Sequence, residues 1–133
     1  MRKDIVLTSE AGIQSLIERA NAVYDSWEAG ELVYEDALQE LDGVIAEARH
    51  QQLTDALLAG LNNKVILLRD TGTLDLAFQV NDEVFELAQE QSNSRYLSYA
   101  AFNRGDMLRM QGKNEQAAAA RDQLQRLLAR GAR

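Results

Sequence analysis

The side chains in this chain that could do chemistry are few, and their types favour binding over catalysis. There is one histidine, His50, and no cysteine, so neither a nucleophile–base triad nor a zinc site can be assembled from the usual ligands. His50 falls near the end of a helical segment, where a cation complements the helix dipole. Glu35, Asp36 and Glu40, and also Asp82, Glu83 and Glu86, are carboxylates of the metal-binding type. Without the Glu-x-x-His motif of di-iron bundles they read as solvated acidic faces. The glycines lack phosphate-loop spacing. What remains is a set of amides and guanidinium groups. Asn21, Asn63 and Asn103 each precede a glycine, Gly30, Gly72 and Gly112, by nine residues. Asparagine is a weak helix former whose side chain competes for backbone hydrogen bonds, so three in one register need a reason. An amide offers a donor and an acceptor, and the forks of Arg69 and Arg109 match a carboxylate. The competing reading is structural: the amides bond to a neighbouring helix, the arginines neutralise Asp70 and Asp106, and Tyr24, Trp27 and Phe102 pack against their own hairpins.

The elements that must position these groups are helical. Apolar residues recur at i, i+3, i+4 and i+7 through Ile13, Leu16, Ile17, Ala20, Val23, Tyr24 and Trp27, and again through five further segments. Those segments centre on Leu41, Leu61, Val84, Ala101 and Leu124. Gly30 closes the first segment, Gly72 the third and Gly112 the fifth, while Thr73, Ser94 and Asn114 stand at N-cap positions. The absence of proline is in keeping with helices joined by short turns. The fold class expected is all-α, with six helices.

Composition limits the function further. With 133 residues and 46% hydrophobic content, the chain can form one domain, 1–133, with a real core. A net charge of −7 argues against general nucleic-acid binding, which needs a surplus of lysine and arginine. No apolar run approaches the roughly 20 residues of a membrane span, and MRKDIVLTSE turns polar too early for a signal peptide. A cytoplasmic protein with no cofactor, no membrane partner and no enzymatic role is the expectation. The charge is uneven: residues 1–94 carry 6 Lys+Arg against 18 Asp+Glu, and residues 95–133 carry 8 against 3. Solvated helix faces account for this, and so does a charge-steered contact with an acidic partner or a second copy.

The three Asn-to-Gly registers define an internal repeat. Ala37, Ala77 and Ala117 follow the glycines by seven, five and five residues. The first unit therefore carries two extra residues in its turn, and the approximate repeats are 11–50, 51–92 and 95–130. Asn103, Gly105, Leu108, Gly112 and Ala117 together resemble the tetratricopeptide repeat; residues 55–92 resemble it less closely, with Val65 in place of the first glycine, and residues 11–50 least. The period of 40 to 42 residues is similar to the elongated repeats of kinesin light chains and of bacterial receptors for signalling peptides. The resemblance implies three stacked helix-turn-helix hairpins forming a short right-handed α-solenoid, with the first helix of each pair lining a concave groove. It further implies an amide ladder of Asn21, Asn63 and Asn103 gripping the main chain of an extended peptide or partner protein. Tyr24, Trp27, Ile66, Arg69, Tyr99, Phe102 and Arg109 would then select its sequence, with Ile17, Ala20, Glu28, Asn62, Asp70, Asp106 and Met110 on the same face. The lysines of the chaperone-tail clamp are replaced here by Ala20 and Tyr99.

Two alternatives accompany this scaffold or adaptor reading. The last hairpin lacks the polar extra helix that caps such arrays, so Leu124, Leu127 and Leu128 are candidates for self-association, as a homodimer through the C-terminal helix or a head-to-tail contact. A plain antiparallel helical bundle is the reading in which the three registers coincide by chance.

Overall fold

The computed structural model describes residues 10–131, so the signal-peptide reading of MRKDIVLTSE falls almost wholly outside the described residues. Six α-helices follow one another: α1 Glu10–Glu28, α2 Tyr34–His50, α3 Thr54–Asp70, α4 Leu74–Glu90, α5 Ser94–Met110 and α6 Asn114–Gly131. Among the described residues there is no strand. None of these helices is long and apolar enough to cross a membrane.

The turns show why the helices follow one another at regular intervals. Four of them are three residues long, at 51–53, 71–73, 91–93 and 111–113, and the first, at 29–33, is longer by the two residues expected from the alanine offsets. In each short turn the middle residue has positive φ: Gln52 57°, Gly72 80°, Ser92 52° and Gly112 77°. The third residue then donates its N–H back to the helix just completed, as Leu53 does to Ala48 O at 2.9 Å and Thr73 to Leu68 O at 2.9 Å. That is a Schellman closure. The same residue's carbonyl accepts the first bond of the next helix, Leu57 N to Leu53 O at 2.9 Å and Ala77 N to Thr73 O at 3.1 Å. One residue thus ends one helix and starts the next, which leaves no slack in the connection.

Two of the three N-cap expectations differ from the structure: Ser94 and Asn114 are the first helical residues of α5 and α6, one position inside the cap. α5 is capped by Asn93, whose side chain accepts from Tyr96 N at 3.2 Å, and Ser94 is the first helical residue. Asn93 keeps extended φ/ψ of −90° and 94°, as an N-cap must, whereas the Ser94 carbonyl accepts from Ser98 Oγ at 2.9 Å within the helix. Thr73 does occupy its N-cap but makes no side-chain cap bond. The side chain of Asn114 lies outside the described set.

The chain divides into two compact units, Met1–Leu67 and Leu68–Arg133. In the first, α1 packs on α2, burying Leu16, Ala20 and Val23 together with Leu41, Val44 and Ala48. Gly60 of α3 sits against α2 so closely that a Cβ there would lie 3.0 Å from Ile45 Cγ1 and 3.4 Å from Val44 Cγ1. In the second unit, α5 packs on both α4 and α6. Leu108, Ala117 and Ala120 form a small cluster there, against which Phe78 leans.

Candidate functional site

The first unit holds two of the three registered amides, and it brings them together. Asn63, 9% exposed, donates through Nδ2 to Ala59 O at 3.0 Å and to Asn21 Oδ1 at 3.1 Å. Ala59 O can only accept, which fixes which end of the Asn63 amide is nitrogen, and that in turn fixes the Asn21 oxygen. An amide nitrogen has two hydrogens, so the Asn63 donors are both committed within the chain. Asn21 is exposed, and its Nδ2 has no acceptor among the described residues. Nearby in sequence on α1, Tyr24 and Trp27 are half-buried with ring centroids 6.0 Å apart at 46°, and Tyr24 Oη donates to Glu28 Oε2 at 3.4 Å. Ile66 is half-buried on α3. Ala20 and Asn62, placed on the same face by register, are buried at 0% and 9%; both stand where the helix meets packed atoms instead of solvent.

The second unit holds Asn103, 4% exposed, whose Oδ1 accepts from Arg69 Nη1 at 3.0 Å. Arg69 also reaches Asp106 Oδ2 at 3.4 Å and, through Nε, Asp70 Oδ1 at 3.1 Å. Asp106 accepts from Arg109 as well. Two arginines and two aspartates thus form a charge-balanced chain along one side of α5. Its acceptors are the chain's own, as the neutralising reading of the arginines expects.

Beside this network α5 exposes apolar surface. Tyr99, Phe102 and Met110 are 44%, 50% and 53% exposed, and their spacing of three and then eight residues puts them on one stripe with Asp106 between. Tyr96 meets Tyr99 edge to face at 5.4 Å and 88°, a favourable arrangement for two aromatic rings. On α6, Leu124 and Leu127 are half-buried, whereas Leu128 is 51% exposed. His50 is the exposed last residue of α2. Among the described residues no group of three or more His, Cys, Asp or Glu is arranged to hold a metal ion.

Comparison with known protein families, curated proteins and solved structures gives no match.

Two further polar features escaped the sequence reading. Asn81, 2% exposed, ties α4 to α5 by donating to Ala100 O at 2.8 Å, while its Oδ1 is buried without a partner among the described residues. Its position between Ala77, Val84 and Ala88 on the apolar face of α4 is the signal that marks it. Arg104 of α5 lies 5.6 Å over the Phe78 ring and 3.6 Å from Asp82, a cross-helix contact without a sequence signature.

Proposed function

We propose that the chain is a helical-repeat scaffold of the tetratricopeptide type that binds a peptide or partner protein, and that the exposed stripe of α5 is its principal contact surface. The observation that carries the reading is the grouping of Tyr99, Phe102 and Met110, each about half exposed, on one face of one helix. Scattered exposed apolar residues are ordinary, but three aligned on a helix with polar groups at the margin have the makeup of a recognition surface. The Schellman turns, whose positive-φ residues recur at intervals of 42 residues from Gly30 to Gly72 and 40 from Gly72 to Gly112, support the repeat itself, and stacking of three hairpins into a right-handed solenoid is part of the proposal.

The Arg69–Asp106–Arg109 network changes the ligand expected. With each guanidinium already facing an aspartate, a ligand carboxylate would have to displace Asp106, so the favoured ligand carries apolar side chains and no obligatory charge. Asn21, whose Nδ2 has no acceptor among the described residues, is the amide available to bond a ligand main chain.

Selection of a displayed peptide library on the immobilised protein tests this. Enriched peptides are expected to be rich in aromatic and aliphatic residues and to lose affinity by at least about ten-fold, or 1.4 kcal/mol, on Phe102→Ala, with the circular dichroism of the variant unchanged. Peptides that bind Phe102→Ala and Tyr99→Ala as tightly as the parent would overturn the assignment.

A further inference from the structure

A second surface, on the other side of α5, points to association between copies of the chain. A shallow groove of about 300 Å³ is lined by Arg104 and Leu108 of α5 and by Gln116, Ala119, Gln123 and Arg126 of α6. Arg104 stands two residues, hence about 200° around the helix, from Phe102, so the stripe described above is not involved. Gln116, Ala119, Gln123 and Arg126 recur at i, i+3, i+7 and i+10, with the buried Ala120 beside them, and Arg130 extends the row at i+14. The lining contains two cations and no carboxylate. Arg104 is paired with Asp82, whereas Arg121, Arg126 and Arg130 have no ion-pair partner among the described residues. The acids of α6 itself are Glu115 and Asp122.

The complement of this surface is carried by the same chain, on α2. Glu35, Asp36 and Glu40 are exposed and without ion-pair partners among the described residues, next to Val33, which is 60% exposed. Asp36, Glu40, Gly43 and Glu47 recur at i, i+4, i+7 and i+11, and Glu47 is paired with Arg19 at 3.5 Å. Gly43 is unexplained by the fold: its φ is not positive, and an added Cβ would meet nothing within 4 Å. A glycine inside a helix is destabilising relative to alanine, and here nothing in the packing of the described residues requires it. Its use is intelligible if another helix approaches α2 at that point, since small residues let helix backbones come close.

We propose that the groove of Arg104, Gln123 and Arg126 docks a second copy of this chain through that copy's acidic α2 face, with Gly43 at the place of closest approach. Charge complementarity selects the occupant, because the chain's own α2 supplies the unpaired carboxylates that the unpaired arginines of α6 lack. The two surfaces differ, so the contact is heterologous and each copy carries one of each kind.

The test is the solution mass of the intact protein by light scattering. The parent is expected to exceed the monomer mass at about 0.01 M ionic strength and to return to it at about 1 M, as the screening length falls from roughly 30 Å to 3 Å. Arg126→Glu with Arg130→Glu, and separately Asp36→Lys with Glu40→Lys, are each expected to be monomeric at low salt, and an equal mixture of the two is expected to associate again. Gly43→Gln has room in the fold, so its melting temperature is expected to equal or exceed that of the parent, while its association weakens by at least about ten-fold. A parent that stays monomeric at low salt overturns the proposal, as does a mixture of charge-reversed variants that fails to associate. A salt-resistant oligomer also overturns it and transfers the contact to Leu124, Leu127 and Leu128.

Discussion

The Asn21–Asn63 pair makes a quantitative prediction. Asn63→Ala removes two hydrogen bonds, to Ala59 O and to Asn21 Oδ1. Neither acceptor is stranded by the change: Ala59 O keeps the helical bond from the backbone N–H four residues on, and Asn21 is exposed to water. The loss is then two net hydrogen bonds at about 0.5–1.5 kcal/mol each, or about 2 kcal/mol in total. Asn21→Ala breaks one of these and is expected to lower stability by about 1 kcal/mol. The pair can be isolated by a double-mutant cycle, in which the coupling should be about 1 kcal/mol. Urea unfolding followed by fluorescence of Trp27, the one tryptophan in the chain and a residue of α1, reports the unit that holds the pair. Asn63→Asp sharpens the test: a carboxylate cannot donate to Ala59 O and would sit near two oxygens, so it should destabilise more than alanine does. Single-variant effects that add within about 0.3 kcal/mol would refute the hydrogen bond, because independent sites behave that way.

Other expectations follow from the turns and the glycines. Gln52 and Ser92 hold positive φ without being glycine, so Gln52→Gly and Ser92→Gly should each raise stability by about 0.5–1 kcal/mol in thermal unfolding, and Gly72→Ala should lower it by about 1 kcal/mol. Gly60→Val should destabilise by about 1–3 kcal/mol through overpacking against Ile45 and Val44. Gly105→Ala should instead be neutral or stabilising by up to about 1 kcal/mol, since its Cβ would rest at 3.7 Å from Ala117 O and Ala120 Cβ, an ordinary contact. Asn81→Ala should change stability by less than about 1 kcal/mol: the lost bond to Ala100 O is offset by release of a buried unpartnered oxygen. A loss above about 2 kcal/mol in chemical denaturation would mean that Asn81 Oδ1 is satisfied.

Helix number and the glycine-closed turns were legible because both rest on local chemistry. An apolar period of 3.6 marks a buried helix face, and glycine marks a residue at positive φ. The turns centred on Gln52 and Ser92 have the same closure but no glycine to announce it; there the demands of two packed helices override a local preference. Asn93 and Ser94 are both good N-caps, and sequence could not rank neighbours whose roles differ only in φ/ψ. For the candidate site, the shared register of Asn21, Asn63 and Asn103 was readable, but their partners were not. Asn21 and Asn63 are 42 residues apart, and Arg69 and Asn103 are 34 apart. Nothing in a pattern of residue types tells an amide that faces a ligand from one that faces a neighbouring helix. The close approach at Gly60 was missed for the same reason, since a mid-helix glycine has no sequence mark that separates contact from accident.

The geometry separates two roles that the repeat pattern had merged. Asn63 has both amide hydrogens engaged inside the chain and is largely buried, so its removal should register in stability. Phe102 is half exposed, so its removal should register in ligand affinity and leave unfolding nearly unchanged. If the amide register served ligands directly, Asn63→Ala would weaken peptide binding at temperatures where the variant is fully folded. If the amides instead serve only to hold α1 against α3, affinity at those temperatures should stay within about two-fold of the parent, well under the ten-fold that 1.4 kcal/mol represents. Measuring both quantities on both variants decides between an amide that reads a partner and an amide that joins α1 to α3.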